Sequence, residues 1–285
     1  MAGQGDADSY TGHYVQANGP DIYYREHGQR DGQPLILIHG GLLTSDSWQP
    51  YLPAFAQRYR VITPDSRGHG RTNNPTGSMS FRLLADDVAA LVQALGLDKP
   101  FIAGYSDGGQ IALEIGMRYP DLPRALVIGG AYAELTGGSS EWVRSILGDE
   151  QSSDVDYEKF ERENPAFAAG LRQDHGTERW KTLLKEIKPM WNARLNYTPE
   201  DFAKGAAPTL VLLGDRDDFV PVEEGVRMYR LLPNAELAVV PGADHPDLIF
   251  SPSKVAVAQP IILDFLQRHG DAGERSRLSG VESQS

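Results

Sequence analysis

Cysteine is absent from the 285-residue chain. That excludes disulfide scaffolds, thiolate metal sites and cysteine nucleophiles together. Positive charge is scarce: 27 Lys and Arg against 39 Asp and Glu leave a formal net charge of −12, with no basic cluster. A field of that sign repels nucleic acid and anionic membrane surfaces, so neither is an expected partner. No apolar run approaches the ~18 residues of a membrane-spanning helix. The opening MAGQGDADSY has neither the basic region nor the apolar stretch of a signal peptide. A soluble, cytoplasmic protein is the expectation. No H-E-x-x-H, EF-hand, Walker A or G-x-G-x-x-G pattern occurs, so neither a metal nor a cofactor is expected. No internal repeat is present.

What the chain does contain is a series of short apolar runs that stop at Gly or Asp. They are PLILIHGG, RVITPDSRGHG, PFIAGYSDGG, RALVIGGAY, APTLVLLGDRD and AELAVVPGADH. Runs so short and rich in Val, Ile and Leu predict strands buried on both faces of a mainly parallel sheet. Ahead of them, HYVQANGPDIYYREHG predicts a hairpin turning at Asn18-Gly19. Helical segments alternate with the runs. The clearest is 80–95, where Phe81, Leu84, Val88, Leu91, Val92 and Leu95 recur at helical spacing between Ser80 and Gly96. Segments 107–119, 222–232 and 253–268 also read as helices, the last kinked or broken at Pro260. This alternation predicts a doubly wound α/β fold with a mostly parallel sheet.

Between 133 and 205 the alternation fails. That stretch is polar and helical and carries three of the four tryptophans. Trp180, Leu183, Leu184 and Ile187 form one apolar stripe, with Lys181, Lys185 and Lys188 off it; Pro189 is expected to end that helix and open another bearing Trp191. The expected division is a mobile tail at 1–12, a core at 13–132 and 206–269, a helical insertion at 133–205, and a second mobile tail at 270–285. Packing accounts for each tryptophan singly; jointly they can line a pocket between insertion and core.

Ligands of open α/β sheets bind beyond the carboxyl ends of the strands, and there the chemistry-bearing residues collect. Gly104-Tyr105-Ser106-Asp107-Gly108 fits G-x-S-x-G between a predicted strand and a predicted helix, the context in which a tight turn exposes a serine hydroxyl. Such a hydroxyl needs a base, commonly a histidine oriented by a carboxylate. His245 follows the last predicted strand and Asp217 follows the strand before it, flanked by Asp215 and Asp218. Glu134, after the preceding strand, is an alternative acid. Asp244 and Asp247 suit turn chemistry beside His245. His39 and His69 sit in glycine turns and read as structural. His13, His27, His175 and His269 fall in no motif.

HGG at 39–41, DSRGHGRT at 65–72, the serine turn, GDRDDFVP at 214–221 and GADH at 242–245 occur in the order found in the α/β-hydrolase superfamily. Over residues 13–269, the insertion apart, the chain resembles its serine-nucleophile esterases and lactonases. The resemblance implies a helical cap, Ser106 as nucleophile, His245 as base and Asp217, two residues after Asp215, as acid. It also implies an oxyanion hole from the backbone amides of Asp107 and Gly41, with Leu42 as the alternative to Gly41. Dehalogenases and epoxide hydrolases of the superfamily carry an aspartate where Ser106 stands, so Asp107 is not the implied nucleophile.

Asp107 itself has two readings. It opens a helix, where a carboxylate favours the dipole by ~0.3–1 kcal/mol. It also stands where it could attract a cationic acyl group, and Ser-Asp-Gly-Gly resembles the serine turn of valacyclovir-hydrolase-like esterases, which favour amino-acid esters. The expected activity is hydrolysis of a small-molecule carboxylic ester or lactone through an acyl-enzyme. C–C bond hydrolysis, peptidase activity and cofactor-free perhydrolysis use the same groups, and a ligand receptor can retain them. A monomer or homodimer is expected from general frequencies.

Overall fold

The computed structural model describes residues 12–134, 141–148, 152 and 154–270. The two expected tails lie outside the described residues, apart from Gly12 and Gly270. Eight strands form one sheet: β1 (Gly12–Gln16), β2 (Asp21–Gly28), β3 (Pro34–Ile38), β4 (Arg60–Pro64), β5 (Phe101–Tyr105), β6 (Ala125–Gly129), β7 (Thr209–Gly214) and β8 (Ala235–Val240). Their spatial order is β1-β2-β4-β3-β5-β6-β7-β8. β1 and β2 form the expected hairpin, with Asn18 and Gly19 both at positive φ in its turn. β2 also pairs antiparallel with β4, and every pairing from β4 through β8 is parallel.

Among the described residues the helices are α1 (Leu52–Phe55), α2 (Phe81–Ala94), α3 (Asp107–Arg118), α4 (Glu141–Leu147), α5 (Tyr157–Glu163), α6 (Pro165–His175), α7 (Arg179–Asn192), α8 (Pro199–Ala203), α9 (Val222–Leu231), α10 (Asp247–Phe250) and α11 (Pro252–Gly270). The strand period of two divides the sheet's side chains between two cores. Ile36, Ile38, Ile62, Ile102 and Ile128 pack with α2 and α3. Leu35, Leu37, Val61, Phe101 and Val127 face the other way, onto α1 and α11. This is the doubly wound arrangement expected from the sequence. Ser80 caps α2, its side chain accepting the Leu83 N–H.

Four expectations need correction. β8 is not buried on both faces: it forms the sheet edge and is mostly half-exposed. α11 continues unbroken through Pro260, and α7 continues through Pro189 to Asn192, so Trp191 sits on the same helix as Trp180. Both prolines are exposed, as are Lys185 and Ala256 four residues before them. The carbonyls that lose a donor therefore lie on the watered side, where solvent can take them, while buried side chains hold each helix from the other. Lys188 is also not off the apolar stripe. It is 2% exposed, and its Nζ donates to the carbonyls of Leu147 and Asp154 at 2.7 and 3.0 Å.

Candidate active site

β5 ends at Tyr105 and α3 begins at Asp107, so Ser106 must turn the chain alone. It does so at φ 57°, ψ −121°, a conformation rarely adopted by a residue with a side chain. The turn is held from several directions. The Ser106 N–H donates to Gly129 O on β6 at 2.8 Å. Gly104 and Gly108 let strand and helix touch: a Cβ on Gly104 would lie 2.0 Å from Gly108 O, and one on Gly108 would lie 2.1 Å from Ile38 O. No other residue type fits either place.

The turn aims the Ser106 hydroxyl at His245, which stands after β8. Ser106 Oγ lies 2.9 Å from His245 Nε2, and His245 Nδ1 lies 2.7 Å from Asp217 Oδ2. A carboxylate only accepts, so the imidazole donates from Nδ1 and leaves Nε2 free to accept the serine proton. The Asp217 side chain is fully buried. Its Oδ1 accepts the N–H groups of Phe219 and Val220 at 2.9 and 2.7 Å, which orients the carboxylate.

The other acids are placed elsewhere. Asp215 accepts the Gly242 N–H, and Asp218 is exposed. Asp244 and Asp247 exchange side-chain-to-backbone bonds across one turn. Glu134 pairs with Arg227 and does not reach the imidazole. His39 and His69 also take structural positions. His39 Nδ1–H donates to Gly40 O at 2.8 Å while its Nε2 accepts the Ser66 N–H at 2.9 Å, and burial holds the ring neutral by lowering its pKa.

The loop after β3 makes a tight turn from Gly40 to Leu43, closed by Leu43 N–H to Gly40 O at 3.2 Å. Gly40 O thus receives two donors, Leu43 N–H and His39 Nδ1–H, and the trans peptide directs the Gly41 N–H the opposite way. Leu42 completes the turn at φ 60°. Asp107, first residue of α3, has no intrahelical acceptor for its own N–H.

The Asp107 side chain does more than open a helix. Both carboxylate oxygens accept the indole N–H of Trp191, at 2.8 and 3.1 Å. Burial raises its pKa to about 6, against the Trp191 hydrogen bond and a smaller attraction to His245, which pull it down. The carboxylate and the Trp191 ring also fill the space beside Gly41, where a Cβ would meet them at 2.4 and 2.5 Å.

A cavity of about 550 Å³ opens over Ser106 and His245. Its walls come from the core (Gly41, Tyr105, Gln110, Tyr132), from the stretch between β6 and β7 (Val143, Phe167, Trp191), and from α10 (Ile249, Phe250). Two carboxylates, Asp107 and Glu134, line it, and among the described residues no Lys or Arg does. Among the described residues no cluster of three or more His, Asp or Glu is placed to hold a metal ion, and no helix is long and apolar enough to cross a membrane.

Sequence reasoning misses three participants. Trp191 is expected there to pack or line a pocket, not to bond Asp107. Tyr105, beside the serine, donates its hydroxyl to His245 O at 2.7 Å and so holds the histidine loop. His175, in no motif, is buried against the turn that carries Gly41. Their partners lie 84 to 140 residues away in the chain, beyond any local pattern. The indole N–H of a pocket tryptophan, which seeks a partner when buried, is the one available signal.

A model of the alpha/beta hydrolase family matches residues 35–259. The chain is similar to a 2-hydroxy-6-oxo-6-(2'-aminophenyl)hexa-2,4-dienoic acid hydrolase of Metapseudomonas resinovorans, with 30% identity covering 92% of this chain and 93% of that protein. It is also similar to a bifunctional esterase/perhydrolase of Acinetobacter calcoaceticus, with 26% identity covering 82% and 92%. Among solved structures, an enol-lactonase from Burkholderia xenovorans superposes with a TM-score of 0.71 at 22% identity, covering 89% of this chain and 99% of that one. At that identity the likeness is one of fold.

Proposed function

The chain belongs to the α/β-hydrolase family, and from that premise we propose that it is a serine hydrolase of carboxylic esters or lactones that carry no negative charge. The observation that carries the reading is the line Ser106 Oγ, His245 Nε2, His245 Nδ1, Asp217 Oδ2 at the floor of a cavity. Ser106 attacks the carbonyl carbon as His245 takes its proton. Asp217 stabilises the imidazolium. The amides of Gly41 and Asp107 receive the oxyanion, a contribution worth ~10²–10³ in turnover per donor in other hydrolases. His245 returns its proton to the leaving alcohol and then activates the water that frees the acid. The helices between 133 and 205 serve as the cap, closing the cavity from above.

The lining selects among the chemistries that relatives carry out. A dienoic acid is an anion at neutral pH, and its carboxylate would need a cationic partner in the pocket. Among the described residues the cavity lining offers Asp107, and Glu134 already paired with Arg227, instead, which supports an ester or lactone over an anionic carbon–carbon substrate.

The test is hydrolysis of p-nitrophenyl esters by wild type and Ser106→Ala. We expect the variant to lose at least ~10³-fold in kcat; full retention would sink the reading. A matched α-amino ester, run beside the neutral one on wild type and Asp107→Asn, decides what Asp107 reads. A preference for the amino ester that vanishes in Asp107→Asn assigns the carboxylate to a cationic acyl group. No preference leaves it to Trp191 and the helix start.

A further inference from the structure

The cavity floor is completed by a contact from the far side of the chain. His175 is the last residue of α6 and is 3% exposed. Its two ring nitrogens do different things. Nδ1 accepts the Gly70 N–H at 2.8 Å, and Nε2, which must then carry the proton, donates to Leu42 O at 3.0 Å. Leu42 is the residue at φ 60° in the turn from Gly40 to Leu43. A leucine held there is strained by roughly 1–2 kcal/mol and persists only where its surroundings over-determine it. His39 and Leu43 grip the first peptide of that turn through Gly40 O. His175 grips the last, through Leu42 O.

Resting on the proposed serine chemistry, we propose that His175 is a positioning residue for the oxyanion donor. By bonding Leu42 O it holds Leu42 in its strained conformation, and so keeps the Gly41 N–H where the developing oxyanion will form. The bond runs from the helical segment between β6 and β7 to the core. It makes the oxyanion hole dependent on the seating of α6. Donors that stabilise only the transition state raise kcat without tightening substrate binding, so the consequence belongs in kcat.

Two amide side chains separate the ring's two roles. Gln reaches the position of Nε2 and keeps a donor for Leu42 O; Asn reaches the position of Nδ1 and keeps an acceptor for Gly70 N–H. The experiment measures kcat and KM for a neutral p-nitrophenyl ester on the full chain for wild type, His175→Gln, His175→Asn and His175→Ala. It adds the rate at which diethyl p-nitrophenyl phosphate inactivates each. In that reaction Ser106 Oγ bonds phosphorus and expels p-nitrophenolate while His245 takes the serine proton, and the phosphoryl oxygen needs the same donors. We expect kcat and the inactivation rate to fall at least ~10-fold in the Ala and Asn proteins, with KM within ~3-fold, and to stay within ~3-fold of wild type in the Gln protein. Equal kcat in all four, rescue by Asn as good as by Gln, or a loss confined to KM would overturn the proposal. So would Ala and Asn proteins that cannot fold, since the contact would then hold the fold and not the turn. Failure of the underlying reading shows separately, as wild-type turnover and inactivation that do not depend on Ser106.

Discussion

At the scale of single residues, Asp107 carries the clearest conflict between stability and site. Its carboxyl is held at about 6 because burial penalises the charge, with Trp191 and His245 pulling the other way. In the unfolded chain an aspartate titrates at ~3.9. Between those values the folded protein keeps a proton that the unfolded chain has released. Stability therefore falls as pH rises from about 4 to about 6 and levels off above. The gap between the two corresponds to roughly 3 kcal/mol. Asp107→Asn carries no charge to bury. We expect it to match wild type near pH 4 and to exceed it by roughly 3 kcal/mol at pH 8, measured by urea denaturation at both values. A difference that does not change with pH would show that Asp107 is solvated in the folded state. The same residue marks how far a sequence can be read. Ser106, Asp217 and His245 can be named because each sits where an apolar run ends in glycine or aspartate, and their order resembles a known one. The bond from Trp191 to Asp107 cannot, because it joins residues 84 apart through a helix whose course depends on Pro189.

At the scale of elements, that proline is instructive. A proline removes one helical donor and crowds the carbonyl four residues earlier, and that rule alone predicts the end of α7 there. The rule assumes nothing else holds the helix. Trp180, Leu183, Leu184, Ile187 and Met190 are buried along one face on both sides of Pro189, and Trp180 packs against Tyr157 and Phe160 of α5. Burying side chains of that size contributes about 1.5–3 kcal/mol each, enough to carry one defect on the exposed side. Which face is buried is a tertiary fact, so the same residues support two readings. Strand assignment is safer, because a parallel sheet buries both faces of a strand and leaves an unbroken apolar run. β8 departs from it only because an edge strand has one neighbour. If packing and not propensity holds α7, then Pro189→Ala should restore the Lys185 carbonyl's donor at no cost in packing. The expected gain is about 1–3 kcal/mol, reduced by the flexibility added to the unfolded chain, and read as a raised midpoint in thermal denaturation. A loss of stability would mean that the proline ring itself packs or that the local bend is required.

At the scale of the whole molecule, the net charge of −12 and the two carboxylates in the cavity wall act in the same direction. A substrate approaching from solvent meets a negative field first and then a pocket that, among the described residues, no Lys or Arg lines. The first effect is long-ranged and is screened by salt over about 10 Å at 0.1 M; the second is short-ranged and screened far less. Substrates of different charge should therefore separate by their response to ionic strength as well as by rate. For a neutral p-nitrophenyl ester, kcat/KM should stay within ~2-fold between 20 mM and 500 mM NaCl. For an ester of the same length ending in a carboxylate, it should be lower at 20 mM and rise several-fold with salt, as long-range repulsion is removed. It should still remain below the neutral ester at 500 mM, because Asp107 opposes it inside the cavity and Glu134, paired with Arg227, offers it no attraction. A matched cationic ester should show the reverse slope. The anionic ester decides the matter. If it is the best substrate at low salt, the pocket holds a cationic group in use during turnover, and the case against anionic carbon–carbon substrates fails with it. If it improves with salt but never overtakes the neutral ester, the long-range field and the pocket lining both select against negative charge, and the search for the substrate narrows to uncharged or cationic esters and lactones.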